Sequence, residues 1–492
     1  MSIAEVPAER RIGAAALARL LGSPPPAGPA YLALADGLRR CVLDGTLPLS
    51  TRLPSERELA LALAVSRTTT AAAMERLREQ GFVRTRRGSG SVTTLPDGPR
   101  PPSGAVLLGG TDTGATDQTA DLTMAAPPAP RALHGAALRA LDRLPRHLAG
   151  TGYAHLGLPE LRALLAERYT RRGTPTSPDE ILVTTGAQQA IALLTATLLG
   201  PGDRAVVEHP AYPHAISAVR ATGARPVPVP VGPHGVDLDL LESTMRQVGP
   251  RLVHLTPDHH NPTGSSLDDA GRARVRALAT RYRTVVVGDE TLTDLTLDGP
   301  ALTSFSGASP GRHVVALGSA SKSFWGGLRV GWVRADRDLV TRLAQERVHH
   351  DMSTGVLDQL VTCELLLAAD DVLAERRAQV RHQRDVLLAA VARHLPSWRV
   401  DRPDGGLSAW ADLGAPVSSA LAAIAPHHGV RIVPGPVFGV DGSFENRLRL
   451  PFSQPPDVLE RGVVALAEAW RALGVPGSAA NAEPTDLRGA MV

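Results

Sequence analysis

Five short apolar runs, separated by stretches with helical periodicity, dominate the chain from about residue 121 onwards. Runs of this length, rich in valine, isoleucine and leucine, are typical of buried strands. Strands that alternate with helices indicate an α/β fold with a mainly parallel central sheet. Ligands of such sheets bind beyond the carboxyl ends of the strands, so the residues after each run are candidates for a binding site. The five runs are Ile181–Thr185, Ala205–Glu208, Leu252–Leu255, Thr284–Gly288 and His313–Leu317.

Lys322, just after the fifth run, is the only lysine among 492 residues. Arginine can replace lysine wherever only a positive charge is needed. It cannot do so where a neutral amine must attack a carbonyl, because guanidinium stays protonated and is a poor nucleophile. We therefore interpret Lys322 as a catalytic lysine that forms a Schiff base, and the aldehyde that it holds as pyridoxal phosphate. A surface lysine without a role would leave its hydroxylated, glycine-rich neighbourhood unexplained.

Groups suited to a phosphate follow the first and the fifth run. Gly186 opens an apolar helix, and a glycine at a helix N-terminus exposes backbone N–H groups to an anion. Two hydroxyls and a guanidinium near Lys322, those of Ser319, Ser321 and Arg329, suit a phosphate dianion.

The other three runs end at groups suited to a pyridine ring. Tyr212 can stack on the ring, although a core tyrosine would look the same. Asn261 can donate a hydrogen bond to the phenolic oxygen of the cofactor. Asp289 can keep the ring nitrogen protonated, although an acid at a strand end is also an ordinary helix cap.

A metal site is not expected. His259 and His260 are adjacent, but no third ligand lies at a recognisable spacing from them. The two cysteines, Cys41 and Cys363, are far apart and form neither a disulfide framework nor a metal motif, which favours a reducing cytoplasm. The sequence contains no run of about 20 apolar residues, so we predict no membrane span. Arginines interrupt the N-terminus where a signal peptide would need an apolar core.

The basic charge is concentrated near the N-terminus. Residues 1–100 contain 14 basic and 9 acidic side chains, whereas the remaining 392 contain 38 and 40. A small basic module on a near-neutral body indicates a polyanionic partner for that module.

Two helix starts lie close together in this basic region. Ser55 and Glu58 form a capping box that predicts a helix to about residue 64, and Ser66 predicts the start of a second helix, to about residue 80. Two helices joined this closely form a helix-turn-helix, whose second helix meets base edges and phosphates with its N-terminal end. A basic, glycine-containing turn between two short strands then predicts a wing. The same pattern also fits a small structural domain with a solvated basic hairpin. The candidate DNA-binding residues are Arg52, Ser55, Arg57, Ser66, Arg67, Thr68, Thr69, Thr70, Arg86, Arg87, Gly88 and Ser89.

Residues 30–95 resemble the winged helix-turn-helix of the GntR regulators, through the segments Leu53–Ala60 and Val65–Thr69. Residues from about Ala125 to Gly474 resemble the fold-type I pyridoxal-phosphate aminotransferases, through the strand ends and the Lys322 segment. That resemblance implies Lys322 as the cofactor lysine, with Asp289 at the ring nitrogen, Asn261 at the phenolic oxygen and Tyr212 on the ring face. It implies a phosphate site formed by Gly186, Ala187, Gln188, Ser319, Ser321 and Arg329.

Two further assignments rest on the same resemblance. Tyr153 matches a tyrosine that reaches the phosphate from the second subunit. Arg449 matches the arginine that binds a substrate carboxylate as a bidentate pair, and Arg447 is the less favoured choice for this role. The alternative is that Arg449 is an ordinary arginine on a surface strand.

Together the two matches resemble the MocR-type branch of the GntR regulators. The resemblance implies a head-to-tail homodimer that binds double-stranded DNA and whose body responds to pyridoxal phosphate or to an amino compound. We expect a DNA-binding domain over 29–95, a flexible linker over 96–120 and an aminotransferase-like domain over 121–476, which ends in a small α+β subdomain. Residues 1–28 are expected to be a poorly ordered lead-in, and the last fifteen or so a loose tail.

One departure from the family pattern bears on function. Thr291 and Leu292 stand where a tyrosine is expected two or three residues after the ring aspartate. The phenolic oxygen then lacks one donor, which favours sensing over fast catalysis. Three hypotheses follow: a regulator with little turnover, a working aminotransferase that carries a DNA-binding head, and a cofactor-free dimerisation scaffold.

Overall fold

The computed structural model of the protein describes residues 10–21, 29–43, 47, 51–86, 90–94, 119–309 and 311–474. The elements of the N-terminal domain are β1 (Arg10–Arg11), α1 (Ala14–Leu21), α2 (Ala30–Leu43), β2 (Thr51–Arg52), α3 (Glu56–Leu63), α4 (Arg67–Glu79), β3 (Val83–Arg86) and β4 (Gly90–Thr93).

The helix-turn-helix and wing form as the sequence predicts. Ser55 and Glu58 make the reciprocal capping box at the start of α3, and Ser66 accepts the Thr69 amide at the start of α4. Ala64 adopts a left-handed conformation, which ends α3 and turns the chain into α4. Strands β3 and β4 pair antiparallel as the wing.

The expectation of a disordered lead-in is wrong for residues 10–21. Strand β1 pairs in parallel with β2, giving the sheet order β1-β2-β4-β3. In α1 Leu17 is fully buried in a core shared with Leu38, Leu59 and Met74. The expectation failed because α1 is short, and only the apolar surface of α2 and α3 makes it stable. Residues 10–21 therefore belong to the sheet and core of the N-terminal region.

The body contains two further sheets. Its elements are β5 (Ala120–Leu122), α5 (Ala132–Arg143), α6 (Pro159–Arg171), β6 (Ile181–Thr184), α7 (Ala187–Leu198), β7 (Arg204–His209), α8 (Pro213–Ala221), β8 (Arg225–Gly232), β9 (Gly235–Val236), α9 (Leu238–Val248), β10 (Leu252–Leu255), α10 (Asp269–Tyr282), β11 (Val285–Asp289), β12 (Val314–Ser319), α11 (Ala320–Ser323), β13 (Gly331–Arg334), α12 (Arg337–Arg347), α13 (Val356–Leu367), α14 (Ala369–His394), β14 (Arg399–Val400), β15 (Ser408–Asp412), α15 (Ser418–Ile424), β16 (Val430–Pro434), β17 (Arg447–Pro451) and α16 (Pro456–Ala472).

The central sheet has the order β6-β13-β12-β11-β10-β7-β8-β9. Strands β12, β11, β10, β7 and β8 pair in parallel, whereas β13 runs antiparallel to both of its neighbours. The prediction of a mainly parallel sheet is confirmed. Its carboxyl edge brings together the residues that follow the five predicted strands.

The C-terminal sheet has the order β14-β15-β17-β16-β5. Its last strand, β5, comes from the start of the body and pairs in parallel with β16. Helix α14 has 26 residues; its first part packs through Val372 and Leu373 in the core of the central-sheet region, and its later part through Val380 and Leu387 in the C-terminal core. Helix α14 thus connects the central-sheet region to the C-terminal sheet. No helix in the described part of the chain is long and apolar enough to cross a membrane.

Candidate functional site

Lys322 lies in α11, directly after the central strand β12. Its Nζ donates a hydrogen bond to the backbone carbonyl of Ala125, with the two atoms 2.7 Å apart. Burial first, and then the positive charge of Arg449, lower the pKa of Lys322 to about 8; Asp289 opposes this shift and Arg329 adds to it. A lowered pKa gives the free amine that a carbonyl attack requires.

Asp289 ends β11, the strand next to β12, and is buried. Its Oδ1 accepts the Thr291 amide at 3.0 Å. Burial raises the pKa of Asp289 to about 6, although the hydrogen bonds from Thr291 and the charge of Lys322 oppose the shift. The carboxylate is therefore mostly ionised at neutral pH. The neighbouring Leu292 is buried in the C-terminal core.

Gly186 and Arg329 approach each other closely at the start of α7. Gly186 has φ +83°, and a Cβ on it would lie 2.6 Å from Nη2 of Arg329. That nitrogen donates to the carbonyl of Thr185 at 3.3 Å. Glycine is favoured here, because the backbone conformation strains any other residue and a Cβ would displace the Arg329 guanidinium. The result is a guanidinium beside the exposed amides of Ala187 and Gln188.

The two serines of the predicted phosphate site differ in their contacts. Ser319 accepts the Ser321 amide at 3.1 Å and donates to the Val330 carbonyl at 3.2 Å, so its hydroxyl is used by the backbone. The hydroxyl oxygen of Ser321 and Oε1 of Gln188 are buried and have no hydrogen-bond partner among the described residues. The Ser321 hydroxyl can donate a hydrogen bond to a phosphate, whereas Oε1 of Gln188 is only an acceptor and does not suit an anion. The geometry favours Ser321 over Ser319 as the phosphate ligand.

Tyr212 lies at the start of α8. Burial raises its pKa to about 12, as does the charge of Asp289, whereas Arg449 and Arg329 lower it. The charges of Tyr212, Asp289, Lys322, Arg329 and Arg449 thus lie close enough to influence one another.

Arg449, in the middle of β17, is a buried cation with an exposed fraction of 6%. It donates to the carbonyl of Thr123 and to Oδ1 of Asn261, the latter at 3.5 Å, and its Cζ lies 5.0 Å from the centre of the Phe438 ring. No carboxylate pairs with it among the described residues, and its Nε is buried without a partner. Burial lowers the pKa of Arg449 to about 10.

Arg447, two residues earlier on the same strand, pairs instead with Asp412 at 3.7 Å. Arg449 is thus the arginine available to an anionic ligand.

Tyr153 is not brought into the site of its own chain. Its side chain is 60% exposed, and its ring stacks on that of His155 with the centroids 6.3 Å apart.

The two adjacent histidines have structural contacts. His259 lies 2.9 Å from the Thr296 hydroxyl, and burial lowers its pKa to about 4. His260 lies 3.2 Å from Glu208. Over the described ranges, no three histidine, cysteine or acidic side chains are grouped as metal ligands would be.

In the N-terminal domain, Arg57, Arg67 and Thr68 are exposed, and Arg52 is partly exposed beside Gly90. Ser55 and Ser66 cap their helices, and Thr69 is hydrogen-bonded to Ser66. Arg87, Gly88 and Ser89 lie outside the described residues, and Arg86 is described by its backbone alone.

The prediction that Thr70 contacts DNA is wrong. Its side chain is fully buried, and its hydroxyl donates to the carbonyls of Glu56 and Arg67. It joins α3 to α4, because its position on the helix faces the domain core rather than solvent.

Sequence reasoning missed the segment 123–125, whose carbonyls accept from Arg449 and Lys322. Backbone acceptors leave no residue-type signal, and they lie 197 and 326 residues away from their donors in the sequence.

Comparison with known proteins gives two family matches. Residues 133–466 match the family model for aminotransferase class I and II, and residues 30–92 match that for bacterial regulatory proteins of the gntR family. The uncharacterized HTH-type transcriptional regulator YisV of Bacillus subtilis is 25% identical, over 88% of this chain and 94% of its own. The probable rhizopine catabolism regulatory protein MocR of Rhizobium meliloti is 27% identical, over 77% of this chain and 80% of its own.

Among solved structures, LysN, the α-aminoadipate aminotransferase of Thermus thermophilus, was determined with N-(5'-phosphopyridoxyl)-L-leucine. It has a TM-score of 0.67 and 30% identity, over 73% of this chain and 93% of its own. The cofactor is pyridoxal phosphate, and the orphaned Ser321 hydroxyl and the glycine cradle fit its phosphate. The chain belongs to the aminotransferase class I and II family in its MocR-type form, in which a GntR-type DNA-binding domain precedes the aminotransferase domain.

Proposed function

We propose that this protein is a transcription regulator whose body senses pyridoxal phosphate or an amino compound that carries a carboxylate. The proposal rests on one observation: Lys322, whose pKa is lowered, lies near the buried Arg449, which lacks an acidic partner among the described residues. A buried guanidinium without a counter-ion is costly unless a ligand supplies the negative charge. The free amine of Lys322 would hold the cofactor, and Arg449 would hold the carboxylate of the effector.

The phosphate would be held at the start of α7 and after β12. The proposed ligands are the amides of Gly186, Ala187 and Gln188, the hydroxyl of Ser321 and the guanidinium of Arg329, with Ser319 supporting the turn. Together they supply backbone donors and one positive charge to a dianion.

The ring would lie between Tyr212 and the end of the sheet. When bound, pyridoxal phosphate supplies an electron sink for bonds at the amino-bearing carbon of an attached amine. Asp289, mostly ionised at neutral pH, would keep the ring nitrogen protonated, and Asn261 would donate to the phenolic oxygen. The phenolic oxygen would lack a second donor, because the Leu292 side chain has none and is buried in the C-terminal core, and the Thr291 amide is used by Asp289. This site is therefore better suited to holding a ligand than to rapid proton transfer.

The N-terminal domain would read double-stranded DNA. The proposed contacts are Arg57, Arg67 and Thr68 at exposed positions, with Arg52 nearby and Arg86, Arg87, Gly88 and Ser89 in the wing. Ser55, Ser66 and Thr69 would act by fixing the helix ends, where free N–H groups attract phosphates. We propose residues 10–94 as this domain and residues 119–474 as the body, with a linker between them.

We further infer a homodimer. Tyr153 is a large aromatic side chain at the surface, and exposed apolar side chains accompany it at Met352, Leu148 and Val348. His155 links the tyrosine segment to the Met352 carbonyl at 3.1 Å, which keeps the two segments on one face. A second copy that covers this face would bring its own Tyr153 to the cofactor phosphate of its partner. Light scattering of the full chain tests the dimer, and a monomer at micromolar concentration would refute it.

The central experiment measures affinity for the DNA upstream of the protein's own gene, with and without pyridoxal phosphate. Wild type is compared with Lys322→Ala and with Lys322→Arg, which keeps the positive charge but cannot attach the cofactor. If the body is a sensor of its cofactor, pyridoxal phosphate shifts the affinity of wild type alone.

If pyridoxal phosphate does not change the DNA affinity, the next experiment adds amino acids to the protein loaded with pyridoxal phosphate and measures the DNA affinity again. If neither addition changes DNA affinity, the sensing proposal is wrong.

A working aminotransferase is the second candidate. The pKa of about 8 for Lys322 favours it, because a lysine that is readily deprotonated can also serve as a proton carrier. Steady-state turnover with an amino acid donor and a 2-oxoacid acceptor separates the two functions. Turnover of several cycles per second would favour the enzyme.

A further inference from the structure

The carboxylate of Asp351 lies outside the cofactor site and contacts the start of α7, the segment proposed to bind the cofactor phosphate. Oδ2 of Asp351, between α12 and α13, accepts Nε2 of Gln189 at 2.7 Å and the hydroxyl of Thr185 at 3.0 Å. Oε1 of Gln189 in turn accepts the Thr185 amide at 2.7 Å. The three residues close a ring of hydrogen bonds at the first turn of α7.

The carboxylate is itself held by a buried arginine. Nε of Arg347 lies 2.5 Å from Oδ1 of Asp351, and Nη2 lies 3.3 Å from Oδ2. Arg347 has almost no exposed surface, and its Nη1 donates to the carbonyls of Val183 at 2.6 Å and His155 at 3.3 Å. Its fixed fork therefore sets the carboxylate at a defined position against the end of β6.

Thr185 transmits this position to the phosphate ligands. Its carbonyl accepts Nη2 of Arg329 at 3.3 Å, and the next residue is Gly186, whose missing Cβ makes room for that guanidinium. A shift of Thr185 would move both Arg329 and the amides that follow Gly186. Hydrogen bonds to an ionised acceptor are shorter and stronger than neutral ones, so the carboxylate is a firm support for this turn.

We propose that Asp351, held by Arg347, is a positioning residue that sets the geometry of the phosphate site through Thr185 and Gln189. It does not touch the phosphate itself. This inference rests on the proposed cofactor site.

The sign of the effect distinguishes positioning from plain electrostatics. A negative charge near a phosphate weakens its binding, so loss of that charge alone would strengthen it. Loss of a support that aligns the donors would weaken it. The ordinary alternative, an ion pair that only closes the end of α12, predicts no effect that depends on the phosphate.

The experiment compares the affinities of the full-length apoprotein for pyridoxal phosphate and for pyridoxal, which lacks the phosphate. Both are titrated by visible absorbance into wild type and Asp351→Asn. Asp358→Asn is the matched control, because this acid lies in the first turn of α13 and has no side-chain bond to residues 185–189 among the described contacts. Pyridoxal affinity reports whether each variant still folds around the ring site.

The ratio of the two dissociation constants is the decisive quantity. In Asp351→Asn the preference for the phosphorylated form should fall about tenfold, which is the loss of one charge-assisted hydrogen bond to the turn. Thr185→Val, which removes the other end of one of these bonds, should show the same selective loss. In the double variant the preference for the phosphorylated form should fall by less than the product of the two single-variant factors, because both substitutions remove the same contact.

An unchanged ratio in both variants, or tighter binding of pyridoxal phosphate by Asp351→Asn, would overturn the positioning role. A wild type that shows no preference for the phosphorylated form would instead overturn the proposed phosphate site. The two failures are thus distinguishable.

Discussion

Removing the charge of Arg449 should raise the pKa of Lys322. The pKa of this lysine lies at about 8 instead of 10.5, because of burial first, then the charge of Arg449, with Arg329 adding to it and Asp289 opposing it. At pH 7.5 roughly a quarter of the amines are neutral, against about one in a thousand for an ordinary lysine. The protein thus keeps an amine ready to attack an aldehyde at neutral pH.

In Arg449→Gln the pKa of Lys322 should rise on the order of one unit, since one nearby charge is lost while burial and Arg329 remain. The neutral fraction at pH 7.5 should then fall roughly tenfold. The attachment rate of pyridoxal phosphate to apoprotein, followed by visible absorbance between pH 6 and 10, reports this fraction. The rate rises through pH about 8 in wild type, because the reactive amine is populated above the pKa.

Arg447→Gln is the matched control, because this arginine lies on the same strand and pairs with Asp412. The midpoint of the pH profile of the attachment rate in Arg447→Gln should equal that of wild type. A midpoint in Arg449→Gln that stays in place or moves to lower pH would refute the electrostatic reasoning.

Three further substitutions test the fold around the two sites. Gly186→Ala should weaken pyridoxal phosphate binding by at least tenfold in a titration, because its Cβ would lie 2.6 Å from a guanidinium nitrogen, whereas Gly202→Ala, with a similar φ but open space, should not. Leu17→Ala should lower the free energy of unfolding of the N-terminal domain by about 2–5 kcal/mol in thermal melts, and the exposed Leu20→Ala should change it by less than about 0.5 kcal/mol. Thr70→Val should cost about 1 kcal/mol in the same melts and leave DNA affinity at low temperature unchanged, because the buried hydroxyl only bridges two helices.

The outcomes for these three are specific. Equal binding by the two glycine variants would mean that the turn relaxes around a side chain. A neutral Leu17→Ala would mean that α1 is not part of the cooperative unit. A loss of DNA affinity in folded Thr70→Val would restore this residue to the interface.

The part of the site that sequence could predict is the part made of side chains with a distinctive chemistry. A single lysine, an acid at a strand end and a glycine at a helix start each carry a residue-type signal, and the parallel sheet brings them together. Thr70 was mispredicted because the recognition helix is only partly exposed, and one position in its first turn faces α3. Helix α1 was missed because a short helix is stable only when packed.

The sequence by itself determined the order of domains and the mainly parallel sheet, and it singled out Lys322 as the candidate cofactor lysine, because hydrophobic periodicity and rare residue types are local properties of the chain. The tertiary structure decided that the Ser321 hydroxyl rather than that of Ser319 lacks a partner among the described residues, that Arg447 rather than Arg449 pairs with an acid, and that Asp351 contacts Thr185. Such assignments depend on burial and on partners far away in the chain. Desolvation and hydrogen bonding act only between groups that folding brings into contact, so no local pattern encodes them.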